Sequence, residues 1–89
     1  MNIERHAFSG TMESSDAYVE IEPAESGLTI ELESIVEKQF GDSIRAAVLS
    51  VLDEFQVKNA QVRITDRGAL ECVIRARVET AVLRSKEAL

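Results

Sequence analysis

A chain of 89 residues has room for one domain, and a domain that small does not readily enclose a substrate cavity. Its formal net charge of −6, from 16 acidic and 10 basic side chains, argues against nucleic acid and anionic lipid as partners, because both need a positive surface. The single cysteine, Cys72, allows no internal disulfide, the apolar runs are too short to span a membrane, and the first six residues lack the apolar core of a signal peptide, so the expected location is cytoplasmic.

Residues 1–16 show no period and collect small polar residues at Ser9-Gly10-Thr11 and Glu13-Ser14-Ser15-Asp16. They read as a mobile N-terminal arm, followed by a single α+β domain over residues 17–89. Tyr18 to Glu22 alternates, with Val19 and Ile21 on one side, and reads as a strand with one buried face. Pro23 to Gly27 supplies turn chemistry, and Leu28 to Glu33 alternates again with Leu28, Ile30 and Leu32 inward. The two runs read as a hairpin. Ser34 followed by Glu37 matches a capping box. The period then turns helical: Val36, Phe40, Ile44, Ala47, Val48, Val51, Leu52 and Phe55 form one stripe, which predicts one long helix kinked at Gly41, or a second helix capped by Asp42.

Ala60 to Thr65 reads as a strand, Asp66-Arg67-Gly68 as a turn, and Leu70 to Val78 as the return strand of a second hairpin, with a short helix from Glu79 that frays near Leu89. The expected fold is therefore α+β: two β-hairpins flanking one long helix, the helix packed on a mostly antiparallel sheet, and a short C-terminal helix.

Catalytic constellations are missing. His6 is the only histidine and reads as a solvated side chain, so no zinc site is expected. The four glycines are scattered and make no phosphate loop, and no GxSxG elbow occurs. Cys72 reads as a small buried hydrophobe, Phe40 and Phe55 as core, and Glu71, Arg75 and Arg77 as an exposed mixed-charge face. Ser14 and Ser15 sit between acids with no base nearby, which makes Ser14 a poor nucleophile by itself. An exposed small-residue loop is nonetheless where a modifying enzyme with its own base can act.

Three segments carry a resemblance. Gly10-Thr11-Met12-Glu13-Ser14-Ser15-Asp16 resembles the N-terminal segment of citrate lyase acyl carrier proteins, the gamma subunits. The run from Val36 to Arg45 is similar to that family's central helix, and the run from Asp66 to Arg77 to its last hairpin. The resemblance implies a non-catalytic subunit that carries 2′-(5″-triphosphoribosyl)-3′-dephospho-CoA on a serine through a phosphodiester, with Ser14 at the position of the modified serine and an acyl thioester on the terminal thiol. The implied partners are the alpha subunit, which exchanges acetyl for citrate, the beta subunit, which cleaves the citryl thioester to oxaloacetate, and a prosthetic-group transferase. Many members have Gly after the modified serine, where this chain has Ser15. Residues 12–37 hold no Lys or Arg, so the expectation is that partner subunits hold the arm's phosphates while this acidic stretch keeps the arm from folding back. The alternatives are the carrier subunit of a malonate decarboxylase-like complex and a small structural or regulatory module.

Overall fold

The alternating runs at residues 18–22, 28–33 and 60–65 become strands, and the long 3.6-period run becomes a helix. The computed structural model describes residues 1–86, in the order β1 (Ala7–Gly10), β2 (Ala17–Glu22), β3 (Leu28–Ser34), α1 (Glu37–Glu54), β4 (Ala60–Asp66) and α2 (Glu71–Arg84). The sheet runs β1-β2-β4-β3; β1–β2 and β2–β4 pair antiparallel, and β3–β4 pair parallel. The α+β class, the mostly antiparallel sheet, the long helix and the C-terminal helix are as the sequence predicts.

The strand neighbours differ from the predicted hairpins. β4 lies between β2 and β3, with Ile21 and Ile30 both opposite Val62. Charge accounts for this. A β2–β3 hairpin would set the outward Glu20 and Glu22 against Glu31 and Glu33, and like charges across a strand pair destabilise it. With β4 between them, Arg63 stands opposite both Glu20 and Glu31 and donates from Nε to Glu31 at 3.1 Å. The Glu31 carboxylate raises the Arg63 pKa, with smaller contributions from Glu20 and Glu22. Burial agrees: Ala60, Val62, Ile64 and Asp66 of β4 are all enclosed, as in a central strand, while β3 at the edge is only partly covered. Alternation specifies which face a residue occupies; it says nothing about which strand lies alongside.

The second hairpin is also replaced. Residues 71–78 are helical, so α2 begins at Glu71 and not at Glu79. Leu70, Cys72, Ile74, Ala76 and Val78 alternate, but Ile74, Val78, Ala81 and Val82 also fall on one helical stripe, and that stripe is the buried one. Cys72 is accordingly exposed in the first turn of α2 and is no part of the core. The expected fraying near Leu89 lies outside the described residues.

α1 runs unbroken through Gly41, which is buried in the helix, so no second helix starts at Asp42. The capping box does not form. Val36 is the N-cap, without a side-chain bond, and the Ser34 hydroxyl instead accepts from the Val36 N–H at 3.1 Å and donates to Asp66 at 2.7 Å. Ile44, Ala47, Val48, Val51 and Leu52 are buried as expected, and Phe55 packs against the core. Phe40 is not core: it is 52 % exposed, because the first turn of α1 overhangs an open groove.

α1 covers β3 and α2 covers β1 and β2, with the helices in contact along one face of the sheet. Between them lies a core of Val, Ile, Leu and Ala; each fully buried larger aliphatic side chain, such as Leu52 or Ile64, contributes about 1.5–3 kcal/mol. Residues 7–10, expected to be irregular, form β1 from Ala7↔Ile21 to Gly10↔Tyr18. The inward residues of β1 are the small Ala7 and Ser9, which is why the sequence shows no hydrophobic alternation there.

Candidate functional site: the β1–β2 turn

β1 and β2 form the hairpin that does exist, and its loop, residues 11–16, carries both candidate serines. The chain leaves β1 at Gly10 with φ +93°, and a Cβ there would run into the Ala17 carbonyl, so only glycine closes this loop. The Asp16 N–H donates to the Glu13 carbonyl at 3.1 Å and closes a turn over residues 13–16. Thr11 Oγ1 accepts from the Glu13 N–H at 3.2 Å and donates to Asp16 Oδ2 at 2.7 Å.

Ser14 stands exposed at the tip, and among the described residues its hydroxyl has no hydrogen-bond partner. Ser15 is also exposed but holds the left-handed backbone, φ +67°. Its N–H donates to the Arg67 carbonyl at 2.8 Å, and the Arg67 N–H donates back to the Asp16 carbonyl at 2.9 Å. The serine turn is thus fastened to the β4–α2 connection by two main-chain bonds.

Asp16 is the electrostatic pivot. Arg77 grips it bidentately, Nε to Oδ1 at 3.0 Å and Nη2 to Oδ2 at 2.9 Å, and Oδ1 also accepts from the Ala17 N–H at 2.7 Å. The bond to Arg77, with those to Thr11 and Ala17, holds the Asp16 carboxyl well below the usual carboxylate range. Arg67, whose main chain makes the two bonds to the serine turn, has an exposed side chain with no ion-pair partner among the described residues. The sequence window 12–37 concealed both arginines, because the fold brings them in from more than fifty residues away.

The connection itself is held by Asp66. Its Oδ1 accepts from the N–H groups of Gly68 at 3.2 Å and Ala69 at 2.9 Å, and its Oδ2 from the Ser34 hydroxyl. Next to it an open groove of about 430 Å³ runs between the first turns of α1 and α2, lined chiefly by Val36, Phe40, Ile44, Leu70 and Ile74.

The remaining sequence candidates lie elsewhere. His6 is at the far end of β1 from the serine turn; it meets Glu20 at 3.0 Å and Glu22 at 4.0 Å, and one ligand atom from each of the three lies within 4.8 Å of the others. Arg75 pairs with Glu54 at 2.8 Å, apart from Arg77. No imidazole or amine is bonded to Ser14 among the described residues.

The acyl carrier family model described as malonate decarboxylase delta subunit (MdcD) matches residues 4–85. The chain is 55 % identical over 86 residues to the citrate lyase acyl carrier protein of Vibrio cholerae serotype O1, covering 96 % of this chain and 88 % of the relative. It is 51 % identical over 87 residues to the citrate lyase acyl carrier protein of Treponema denticola, covering 98 % and 99 %. Among solved structures, a chain of a Pseudomonas malonate decarboxylase hetero-tetramer in complex with malonate shares the fold, with a TM-score of 0.82 at 23 % identity over 96 % of this chain and 88 % of that one.

Proposed function

The chain belongs to the citrate lyase acyl carrier protein family, and we propose that Ser14 is the residue to which its prosthetic group is attached. As the acyl carrier subunit of citrate lyase, it presents an acyl group to catalytic sites on other subunits. The observation that carries the assignment is the exposed hydroxyl of Ser14 at the tip of the turn; the Ser15 hydroxyl is exposed and unbonded too, but the Ser15 backbone is held left-handed and pinned to the Arg67 carbonyl.

The donor of the group is 2′-(5″-triphosphoribosyl)-3′-dephospho-CoA, and the moiety left on Ser14 would supply a thiol for acyl thioesters at the end of a long arm. Ser14 Oγ forms the phosphodiester by displacing diphosphate from the ribosyl triphosphate. The proton it loses goes to a base on the transferase, since among the described residues none is bonded to Ser14. The residues present fit such a group. A phosphodiester on Ser14 places a negative charge next to Glu13, and the exposed Arg67, whose main chain borders the turn, is a cation available to it; Asp16 adds little repulsion, because its charge is already matched by Arg77.

The chain acts as a carrier and not as a catalyst, in the cytoplasm, with the alpha and beta subunits of citrate lyase and the transferase as partners. Among the described residues no helix is long and apolar enough to cross a membrane. A long arm raises the acyl concentration at each partner's site without the carrier having to bind the substrate itself.

A malonate decarboxylase carrier is the second reading, favoured by the description of the family model. The 55 % identity to a citrate lyase carrier, against 23 % to the chain of the malonate decarboxylase structure, supports the first. Incubating the purified protein with the transferase and its substrate tests the site. The intact mass rises in wild type and in Ser15→Ala and stays unchanged in Ser14→Ala; a Ser14→Ala variant that still gains the adduct would refute the assignment.

A further inference from the structure

The groove between α1 and α2 has no role in attaching the group, yet it is an apolar hollow bordered by the β4–α2 connection that fastens the serine turn. We propose that it receives the pantetheine end of the arm carried by Ser14 and shelters the thioester whenever no partner subunit holds it; this rests on the carrier reading of Ser14.

Position comes first. Asp66 and Gly68 line the groove, and Arg67 between them makes the two main-chain bonds that fasten the serine turn. A second hollow, lined in part by Met12, Glu33, Ser34, Ile35 and Arg67, shares Asp66 with the groove and lies between it and Met12 of the serine loop. The three segments that carry the family resemblance meet there: residues 10–16 form the turn, and residues 36–45 and 66–77 supply the groove walls.

Chemistry comes second. Phe40 is 52 % exposed, Leu70 71 % and Ile35 70 %, a concentration of uncovered apolar surface at one end of an otherwise acidic molecule. Pantetheine is amphipathic: its gem-dimethyl group and methylenes suit Val36, Phe40, Ile44, Leu70 and Ile74, and its amides find the hydroxyl of Ser43 at the wall. The volume of about 430 Å³ falls within the roughly 300–1,000 Å³ of small-molecule sites. An open groove also suits a carrier, because the arm must leave it to reach a partner.

The acidic stretch 12–37 was expected to keep the arm from folding back. That expectation took no account of Arg67, which stands at the root of the arm, or of the groove walls supplied by residues 66–74.

The test uses the full chain, loaded by the transferase and verified by intact mass before anything else is measured. Methyl NMR of the unloaded and loaded forms is then compared. The expected result is a set of shifts confined to Val36, Ile44, Leu70 and Ile74, with nuclear Overhauser contacts to the gem-dimethyl group. The arm's thiol should also alkylate about threefold faster in Leu70→Asp than in wild type, as for an arm lodged in the groove about two-thirds of the time. Leu70 is a surface residue, so this variant keeps its fold, which circular dichroism checks. A confirmed adduct with unshifted groove methyls and equal alkylation rates overturns the sheltering proposal and leaves the carrier reading intact. Groove shifts that arise only when the alpha or beta subunit is added assign the groove to partner docking and overturn it too. Absence of any adduct defeats the carrier reading and this proposal with it.

Discussion

Replacing Ser15 with glycine separates the backbone role of that residue from the chemistry of its neighbour. Ser15 holds φ +67°, a region that costs an L-residue roughly 1–2 kcal/mol. Glycine escapes that cost but loses about 0.5–1 kcal/mol through its freer unfolded chain. The bond from the residue-15 N–H to the Arg67 carbonyl is main-chain and survives, and the Ser15 hydroxyl has no partner to lose among the described residues. The net expectation for Ser15→Gly is a gain of about 0.5–1 kcal/mol, or roughly 2–8 °C in Tm for a domain of this size. A thermal melt reads the stability, and the mass after treatment with the transferase reads the modification, which should persist. A lower Tm would refute the argument from φ. Loss of the adduct would move the attachment site to Ser15. The same physics says that glycine suits this position, because the turn demands a left-handed residue after Ser14.

Further perturbations probe the scaffold. Gly10→Ala drives a Cβ into the Ala17 carbonyl at φ +93°, and should cost about 2–3 kcal/mol by urea unfolding and slow modification of Ser14; an unchanged midpoint would contradict the close approach. The depressed Asp16 pKa means that the unfolded chain binds a proton the folded carboxylate refuses, so its stabilising contribution is complete above the ordinary value near 3.8 and is lost as pH falls through the folded one. Asp16→Asn should therefore be less stable at neutral pH and lose stability less steeply below about pH 4 than wild type; parallel acid-unfolding profiles would count against the Arg77 clamp. Asp66→Ala leaves the Gly68 and Ala69 N–H groups and the Ser34 hydroxyl without their acceptor, and should cost on the order of 3 kcal/mol; a loss below about 1 kcal/mol would show that water replaces the carboxylate.

Much of this was legible in the sequence, and the part that was not has definite causes. The buried positions of β2, β4 and α1 follow from period alone, because Val19, Ile21, Val62, Ile64, Val48 and Leu52 each repeat at the spacing of their element. Strand neighbours do not follow, since they depend on how Arg63 relieves the acidic faces of β2 and β3 across the sheet. Residues 70–78 satisfy both a strand and a helix pattern, and the extension of the stripe to Ala81 and Val82 decides for the helix. β1 was hidden because its inward residues are small. At the site, Ser14 stood out by resemblance, and its small-residue loop by composition only as a place a modifying enzyme can reach. Arg67, Arg77 and Asp66 did not, since nothing local in the sequence connects them to residues 13–16. The one available signal was that residues 10–16 and 66–77 both belong to the resembling segments; in the fold they lie side by side.

The measurement that bears most directly on the account is the intact mass of the protein isolated from a citrate-fermenting host, with the peptide holding Ser14 and Ser15 then mapped. The account predicts an adduct of the size of a phosphoribosyl-dephospho-CoA group (the triphosphoribosyl donor less diphosphate) on Ser14, acetylated at its thiol. An unmodified chain from cells that contain the transferase, or an adduct on Ser15, would contradict it.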